Sequence, residues 1–462
     1  MPLLVGLVDS VHARTRSSLD GSFLLSRPNG TDSPIEERID LEEVAAKRLA
    51  GGGLVDSIAN MANSILGAGS SIRLPYAVRQ AGFFTGLILL VALSAVTDWT
   101  IRLIVVNAKM SGRNSYIAIM DHCFGSSGRA AVSFFQFAMA FGGMCAFGII
   151  IGDTIPHVII SIFPGIHKIP VLSLFTNRQF VIGFCTVTVS YPLSLYRDIH
   201  KLSRASGLAL VGMIVIVIAV IIEGANVTPE LRGSSAPSVR FSIVTPRITE
   251  AIGVISFAFV CHHNSLLIYG GLRTPTLDRF AFVTHISTAL SLVSCLALAV
   301  PGFLVFTDKT AGNILNNFAS DDTLINVARF CFGMNMFTTF PLELFVCREV
   351  IEQYFFPHEP FNYQRHMLFT TSISFAAMFI AIITCDLGSM LEITGGVSAT
   401  ALAYIFPAAC YIHLLPKSIH WTSRTKLPAV ICAAFGCVVM VLSLFLGLRK
   451  VWTGEGDAKI CA

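Results

Sequence analysis

Charged residues are scarce in this sequence. Asp, Glu, Lys and Arg make up 13% of its 462 residues, about half their share in a soluble globular protein. Hydrophobic residues make up 54%, and the mean hydropathy is +0.71. This small number of charges cannot cover a water-exposed surface. The composition therefore excludes a soluble protein and predicts an integral membrane protein. The net charge of +4, without a basic stripe, excludes a nucleic-acid-binding protein.

Cysteine pairs are also missing. The twelve cysteines stand mostly alone within apolar runs, and no Cys-x-x-Cys pair or His/Cys cluster has the spacing of a metal site. We interpret them as small residues that face lipid or other helices. The sequence therefore predicts neither a disulfide framework, nor a bound metal, nor an organic cofactor.

The amino-terminal region lacks a membrane-spanning run. Residues 1–8 are apolar but too short for a signal peptide. Residues 9–50 are polar, and 14 of the 60 charges lie within residues 1–50. We predict a disordered tail over 1–50, a membrane domain over 51–450 and a second short tail over 451–462.

Beyond this tail the chain is a series of apolar segments, each near the 20 or so residues that a membrane helix needs. We predict an all-α polytopic protein with eleven spans, numbered 1 to 11 in chain order: 54–77, 83–106, 130–155, 179–196, 205–223, 248–270, 280–306, 323–347, 367–385, 388–411 and 427–449.

Basic residues in the loops predict the orientation. Alternate loops on one side carry 13 Lys and Arg, and those on the other side carry 7. The richer side is the cytoplasmic one, and the amino-terminal tail lies on it. We call this the near side. The carboxyl-terminal tail then lies on the far side, which is lumenal or extracytosolic.

Two spans are interrupted at bilayer depth. Span 1 contains Gly67-Ala68-Gly69 among hydroxyl side chains, and span 6 contains four consecutive polar residues, His262 to Ser265. A broken helix at this depth is tolerated only inside protein or around a wet cavity. Breaks at matching places in two halves of a chain indicate the substrate site of a transporter. The alternative is a small-residue packing face in span 1 and hydrogen-bonded core histidines in span 6.

Five stretches of this sequence resemble the amino acid/auxin permease superfamily. They are SIANMANSILGAG (57–69), TDWTIR (97–102), GDTIP (152–156), FAFVCHHNS (257–265) and PLELFVCRE (341–349). Within that superfamily the chain is most similar to the sodium-coupled neutral amino acid transporters and the fungal vacuolar amino acid transporters. The resemblance covers about residues 50–450.

This resemblance implies a LeuT-like fold, in which spans 1–5 and 6–10 form inverted repeats and span 11 is additional. It also implies secondary transport of amino acids, with neutral ones as the expected substrates, driven by a sodium or proton gradient. Amino acid and membrane lipid are thus the expected partners, while the oligomeric state is left open.

The two breaks are the predicted substrate site. Backbone N–H groups at Gly67, Ala68 and Gly69 suit the substrate carboxylate, since a helix end attracts an anion and glycine permits a close approach. Carbonyl groups around Cys261, His262 and His263, together with the Ser64 hydroxyl, suit the ammonium group.

Two sets of residues are candidates for ion coupling. The resemblance assigns sodium to the Asn63 amide in span 1 and to Thr338 and Thr339 in span 8, although threonines on a helix often bond back to their own backbone. A proton needs a group that titrates near neutral pH, which His262 or His263 supplies, and on the sequence we favour the proton as the driving ion. We expect at most one of these neighbours to face a cavity, and favour His262, with Glu343 as its possible carboxylate partner.

The first break departs from the family pattern. Five residues, from Ser70 to Leu74, separate Gly-Ala-Gly from Pro75, where the pattern has four. One extra residue turns the rest of a helix by about 100°. Arg73 also brings a charge into the span, which predicts a modified gate.

Asp98, Asp153 and Glu343 are among the carboxylates that fall within predicted spans. Asp98 stands four residues before Arg102 on span 2, and we expect the two to neutralise each other. Asp153 and Glu343 have no such neighbour, and an intramembrane carboxylate is a functional hypothesis by default.

Other classes of function fit less well. A membrane enzyme requires a nucleophile–base pair or metal ligands that the histidines lack, and eleven spans exclude a seven-span receptor. A transport-inactive amino acid sensor of the same fold is the remaining alternative. Asp20 and the pair Leu24-Leu25 have the spacing of an acidic dileucine signal, which predicts a vacuolar or lysosomal membrane, with the plasma membrane as alternative.

Overall fold

Membrane-length helices and their connecting loops form the structure. This computed structural model describes residues 53–67, 71–196, 206–357, 359–384 and 387–453. The predicted tail over 1–50, including Leu24 and Leu25, lies outside the described residues. So do Ala68 and Gly69 of the first break and residues 454–462.

The predicted spans correspond to helices. Within the described ranges, nine helices are long and apolar enough to cross a membrane, and spans 1 and 4 are built from shorter pieces. Seven spans are single helices: Phe83–Ser111, Tyr116–Ile162, Ser206–Asn226, Leu277–Phe306, Thr323–Phe355, Tyr363–Ile383 and Leu427–Thr453. The helix of span 3 begins earlier than predicted because it includes a segment before a kink at Gly125, where φ is +63°.

Spans 1 and 6 are broken where the polar runs fall. Span 1 consists of a helix over Leu54–Leu66, a 3₁₀ turn over Ser71–Arg73 and a helix over Leu74–Ala81. Its first half begins with the Asp56 carboxylate accepting a hydrogen bond from the Gly53 N–H at 3.0 Å. Span 6 consists of Ile248–Phe259, a 3₁₀ turn over His262–Asn264 and Ser265–Gly271.

Spans 4 and 10 are also irregular. In span 4 a π-helical turn over Thr186–Ser190 joins Arg178–Cys185 to Tyr191–Ser194. In span 10 two π-helical turns lie between the helices Leu387–Ile393 and Phe406–Leu414. Such turns often occur at functional sites, and the π segment of span 10 packs against the first half of span 6.

Short turns and one small helix complete the loops. The 3₁₀ turns are Ile166–Lys168, Leu172–Thr176, Thr307–Lys309 and Ile314–Asn317, and the helix is Pro237–Arg240. Span 8 packs along span 3, and the first half of span 6 also packs against the second half of span 1.

Asp98 and Asp153 are both paired with arginines. Asp98 lies 2.7 Å from Arg102, which confirms the expected pair, and it also lies 3.0 Å from Nδ1 of His285 on span 7. Asp153 lies 2.8 Å from Arg178, whose Nη2 donates to the Thr384 carbonyl at 3.1 Å. Both charges therefore stabilise contacts between or within scaffold helices.

Glycines permit the close packing of spans 6 and 10. A Cβ at Gly395 would overlap the Gly253 carbonyl oxygen and lie 2.8 Å from Cβ of Phe257. A Cβ at Gly253 would in turn lie 2.8 Å from the Glu392 carbonyl oxygen. The backbones of the two spans thus approach each other at a distance that only glycine allows.

We predict that Gly395→Ala destabilises the protein by about 1–3 kcal/mol, the usual effect of overpacking. The thermal midpoint of the purified protein in detergent should fall accordingly. Gly183→Ala is the matched control, because no atom lies within 4 Å of a Cβ there. An equal midpoint for the two variants would show that spans 6 and 10 pack less closely than described.

Candidate functional site

The two helix breaks lie against each other. Asn264 in span 6 donates a hydrogen bond from Nδ2 to the Ser64 hydroxyl oxygen in span 1, at 2.9 Å. The two residues are 200 positions apart in the sequence. The structure therefore brings the two interruptions together in the interior of the bundle.

Polar side chains at the two breaks and on the facing part of span 8 are half-buried. Ser64 and Asn264 contact each other, and Thr339 contacts Gly67 of span 1. We call these half-buried residues the central cluster: Asn63, Ser64, His263, Asn264, Thr338, Thr339 and Glu343.

Oxygen atoms gather where the first half of span 1 ends. The Gly67 carbonyl oxygen lies 3.4 Å from Oγ1 of Thr339 and 3.5 Å from Nδ2 of Asn335, both on span 8. Oδ1 of Asn335 is 3.3 Å from Oγ1 of Thr339. Oδ1 of Asn63 is buried and has no hydrogen-bond partner among the described residues. Carbonyl, hydroxyl and amide oxygens are the ligands that hard cations prefer.

The two threonines of span 8 have different neighbours. Both hydroxyls donate back to the Asn335 carbonyl oxygen at 2.8 Å, a common bond within a helix. Only Thr339 also contacts span 1, through the Gly67 carbonyl oxygen. The structure therefore brings Thr339 to the oxygen group and leaves Thr338 beside it on the same helix.

The two histidines of span 6 are held differently. His262 is 1% exposed, and its Nε2 lies 2.9 Å from the Thr100 hydroxyl on span 2. His263 keeps accessible surface and belongs to the central cluster. Their Nδ1 atoms are buried without a partner among the described residues. His262 thus packs against span 2, whereas His263 keeps accessible surface.

The carbonyl groups expected to hold an ammonium are partly occupied. The Cys261 carbonyl oxygen accepts a hydrogen bond from the Asn264 N–H at 3.0 Å, and that of His262 accepts one from the Ser265 hydroxyl at 2.7 Å. Cys261 itself is fully buried. The His262 carbonyl oxygen also accepts the Ser265 backbone N–H. A carbonyl oxygen can accept two hydrogen bonds, so the Cys261 carbonyl retains one position and the His262 carbonyl is fully used.

Arg73 lies on the carboxyl-terminal side of the first break. Its side chain is fully buried, and Nε donates to the Gly312 carbonyl at 2.8 Å. Nη1 donates to the carbonyls of Leu387 and Gly388 at 2.5 and 3.2 Å. These bonds offset the cost of burying a guanidinium. The charge that distinguishes this break from the family pattern thus ties span 1 to the start of span 10.

Two residues of the site escaped the sequence-based interpretation. Asn335 lies four positions before Thr339, so the two residues share a helix face. This spacing is the signal in the sequence that identifies Asn335. Thr100 carries no such signal, because only the fold brings it to His262.

Comparison with known proteins places the sequence in a family. The family described as "Transmembrane amino acid transporter protein" matches residues 50–448. The chain is 39% identical to vacuolar amino acid transporter 2 of Saccharomyces cerevisiae over 397 residues, which cover 83% of this chain and 81% of that one. It is 38% identical to the putative sodium-coupled neutral amino acid transporter 11 of Danio rerio, with 84% of each chain covered.

A solved structure shares the fold. The crystal structure of MhsT in complex with L-phenylalanine has a TM-score of 0.55 to this chain, at 12% sequence identity. The match covers 85% of this chain and 98% of the MhsT chain. This likeness concerns the fold alone, and it confirms the predicted LeuT-like arrangement.

We predict that Gly67→Val abolishes amino acid uptake while the protein still reaches the membrane. A Cβ at this position would overlap the Asn63 carbonyl oxygen and lie 2.9 Å from Asn63 Oδ1, so the bulkier side chain would displace the Asn63 amide from the central cluster. Uptake of a radiolabelled amino acid panel into reconstituted vesicles measures the loss.

Gly183→Val is the control for this variant, since position 183 has open space around its Cβ. Normal uptake by Gly67→Val would place the substrate site elsewhere.

Proposed function

Because the chain belongs to the transmembrane amino acid transporter family, we propose that it is a secondary active transporter whose amino acid substrate binds between the breaks of spans 1 and 6. The contact between Ser64 and Asn264 carries this proposal, since it joins the two breaks within one polar cluster. The family and the relatives are transporters, so they support neither an enzyme nor the alternative of a transport-inactive sensor.

The substrate's two backbone charges have separate places in this proposal. The carboxylate binds the backbone N–H groups of Ala68 and Gly69. The N–H of Gly67, which the sequence also suggested, already donates to the Asn63 carbonyl oxygen at 2.6 Å. The ammonium group donates to the Ser64 hydroxyl and to carbonyls near Cys261, at the end of the first half of span 6. His263, two residues after Cys261, has a ring nitrogen without a hydrogen-bond partner among the described residues.

The coupling ion in this proposal is sodium. Gly67 ends a half-helix, and the carboxyl end of a helix carries partial negative charge that attracts a cation. The Gly67 carbonyl, the Thr339 hydroxyl and the amide oxygens of Asn63 and Asn335 supply up to four oxygen ligands there. Sodium enters as a co-transported substrate, and the same residues that bind it position the first break.

A proton is the alternative coupling ion, and the histidines of span 6 support it. His262 has a buried Nδ1 without a partner among the described residues. Its close packing against Thr100, however, leaves no accessible surface through which a proton reaches it directly. We therefore favour sodium over the proton.

We propose residence on a vacuolar or lysosomal membrane. The name of the yeast relative states a vacuolar transporter, and the sequence from Asp20 to Leu25 has the spacing of an acidic dileucine signal. This signal lies in the cytoplasm only if the amino-terminal tail is on the cytoplasmic side of the membrane. The distribution of basic residues predicts that orientation.

Thr339→Val should raise the sodium concentration needed for half-maximal uptake by about tenfold or more, because one hydroxyl ligand is lost without a change in size. Uptake into proteoliposomes under separately imposed sodium and proton gradients measures it. Thr338→Val is the matched control, since Thr338 bonds only within its own helix in the described structure.

The proton alternative predicts a different outcome. Uptake would then be independent of sodium in every variant. His262→Gln or His263→Gln would remove its dependence on pH between about 5.5 and 7.5, around the ordinary range of histidine. That result would overturn the sodium site and leave the transport function standing.

Replacing both Leu24 and Leu25 with Ala should move a fluorescently tagged protein from the vacuolar or lysosomal membrane to the cell surface. A sorting signal of this type is read through its two leucines, whereas Leu3 and Leu4 in the same tail have no acidic residue before them. The Leu3/Leu4 double alanine variant is thus the control. An unchanged location in the Leu24/Leu25 variant would remove this signal as the basis for the proposed membrane.

A further inference from the structure

A cleft of about 430 Å³ lies at the near-side ends of spans 8 and 9. Sites for small ligands commonly have volumes of about 300–1,000 Å³. The chain turns here from the end of span 8 at Phe355 to the start of span 9 at Tyr363. Six of the side chains that line the cleft carry a charge or can titrate: Arg348, Glu349, Glu352, Glu359, Arg365 and His366. Basic and acidic groups thus face one space.

Arg348 is a buried cation in the wall of this cleft, and it closes the stretch PLELFVCRE together with Glu349. It is only 4% exposed. Its Nη1 donates to the Ser194 carbonyl oxygen at 3.3 Å and to the Thr370 hydroxyl at 3.0 Å, which ties span 8 to spans 4 and 9. Within the described ranges, neither Nε nor Nη2 makes a hydrogen bond. Burying donors without acceptors is costly, so this guanidinium favours an anionic ligand.

The carboxylates beside Arg348 have no cation in contact. Glu352 follows Arg348 by four residues on the same helix face, yet the two form no ion pair in the part of the chain that the structure describes. Oε1 of Glu352 is buried and has no hydrogen-bond donor among the described residues. Glu349 accepts a hydrogen bond at 3.0 Å from Gln353, whose amide is neutral. These two carboxylates therefore favour a ligand that brings a cation.

The remaining charges of the cleft already neutralise each other. Arg365 at the start of span 9 lies 2.5 Å from Glu359 in the loop before it. The Arg365 guanidinium also lies over the Phe356 ring, 4.5 Å from its centre. The rings of Phe345 and Phe361 line the cleft as well. This part of the wall thus offers apolar surface next to the unpaired charges of span 8.

We propose that this cleft binds a small zwitterion on the near side of the membrane, at a second site distinct from the central cluster. The anionic group of the ligand accepts hydrogen bonds from Arg348, and its ammonium group donates to Glu352 and Glu349. Side chains four residues apart on a helix are separated by about 5–6 Å, so a compact ligand with both charges can contact both. Arg348 also lies nine residues after Thr339, about 13 Å further along span 8.

Two sources present this chemistry. A cytosolic amino acid carries its ammonium and carboxylate groups on one carbon atom. The headgroup of phosphatidylethanolamine carries an ammonium group close to a phosphate. L-Leucine and glycerophosphoethanolamine are the corresponding soluble probes, and leucine also has an apolar side chain for the aromatic part of the wall.

Calorimetric titration of the purified full-length protein in detergent tests the proposal. The Gly67→Val protein isolates the cleft, because that variant is expected to lose the central site. We expect it to bind a probe saturably, and Glu352→Gln in the same background to weaken this binding about tenfold or more, since a neutral amide replaces the charged acceptor. Asp321→Asn, which changes an exposed carboxylate on the far side, is the matched control.

Two analogues of leucine separate its charges. 4-Methylpentanoate lacks the ammonium group and 3-methylbutylamine lacks the carboxylate, and each should bind about tenfold or more weakly than leucine. Arg348→Gln should weaken leucine and 4-methylpentanoate but not the amine. Because Arg348 also holds spans 4 and 9, the thermal midpoint of this variant checks its folding. If it fails to fold, Glu352→Gln and the two analogues decide the assignment.

The outcomes are distinct. Binding of glycerophosphoethanolamine alone, lost in Glu352→Gln, identifies the lipid headgroup as the ligand and supports the zwitterion site. No saturable binding of either probe, or binding that Glu352→Gln leaves unchanged, overturns it. These titrations do not depend on uptake, so a failure of this site and a failure of the proposed transport function are seen in separate measurements.

Discussion

Lipid offers no hydrogen bonds to a polypeptide backbone, and this constraint determines the architecture of the protein. Two helices break in the middle of the membrane, and each break frees backbone groups that only neighbouring protein or enclosed water can satisfy. The two breaks meet through Ser64 and Asn264, and span 8 covers the first through Asn335 and Thr339. The remaining spans enclose this centre, and the glycine contact between spans 6 and 10 brings them close enough to do so.

Charge in the membrane domain follows the same rule. Asp98 and Asp153 have arginine partners, and Arg73 donates to three carbonyl oxygens from two other segments. These groups stabilise the scaffold because each leaves few donors or acceptors unsatisfied. Asn63, at the first break, and Glu343, on span 8, each retain an oxygen atom without a partner among the described residues.

Much of this organisation is predictable from the sequence. Apolar runs near 20 residues long predict the spans, and glycines and consecutive polar residues predict the breaks, since both signals are local. The pair of Asp98 and Arg102 is predictable from its spacing on one helix. The positions of His262 and Arg73 are not predictable in this way, because their partners come from distant segments. His262 contacts Thr100 of span 2, and Arg73 contacts the loop before span 8 and the start of span 10. Rotation of a helix about its axis, which decides between His262 and His263, depends on tertiary packing.

The claim that the two breaks form one substrate site can be measured directly by the accessibility of a cysteine placed there. Ser64→Cys should react with a small thiol reagent in proteoliposomes, and a saturating transported amino acid should slow this reaction several-fold, because the ligand covers position 64. The parent protein, whose Cys437 is exposed, provides the background rate and should show no such protection. A Ser64→Cys protein that still transports, yet reacts at the same rate with and without amino acid, would contradict the account.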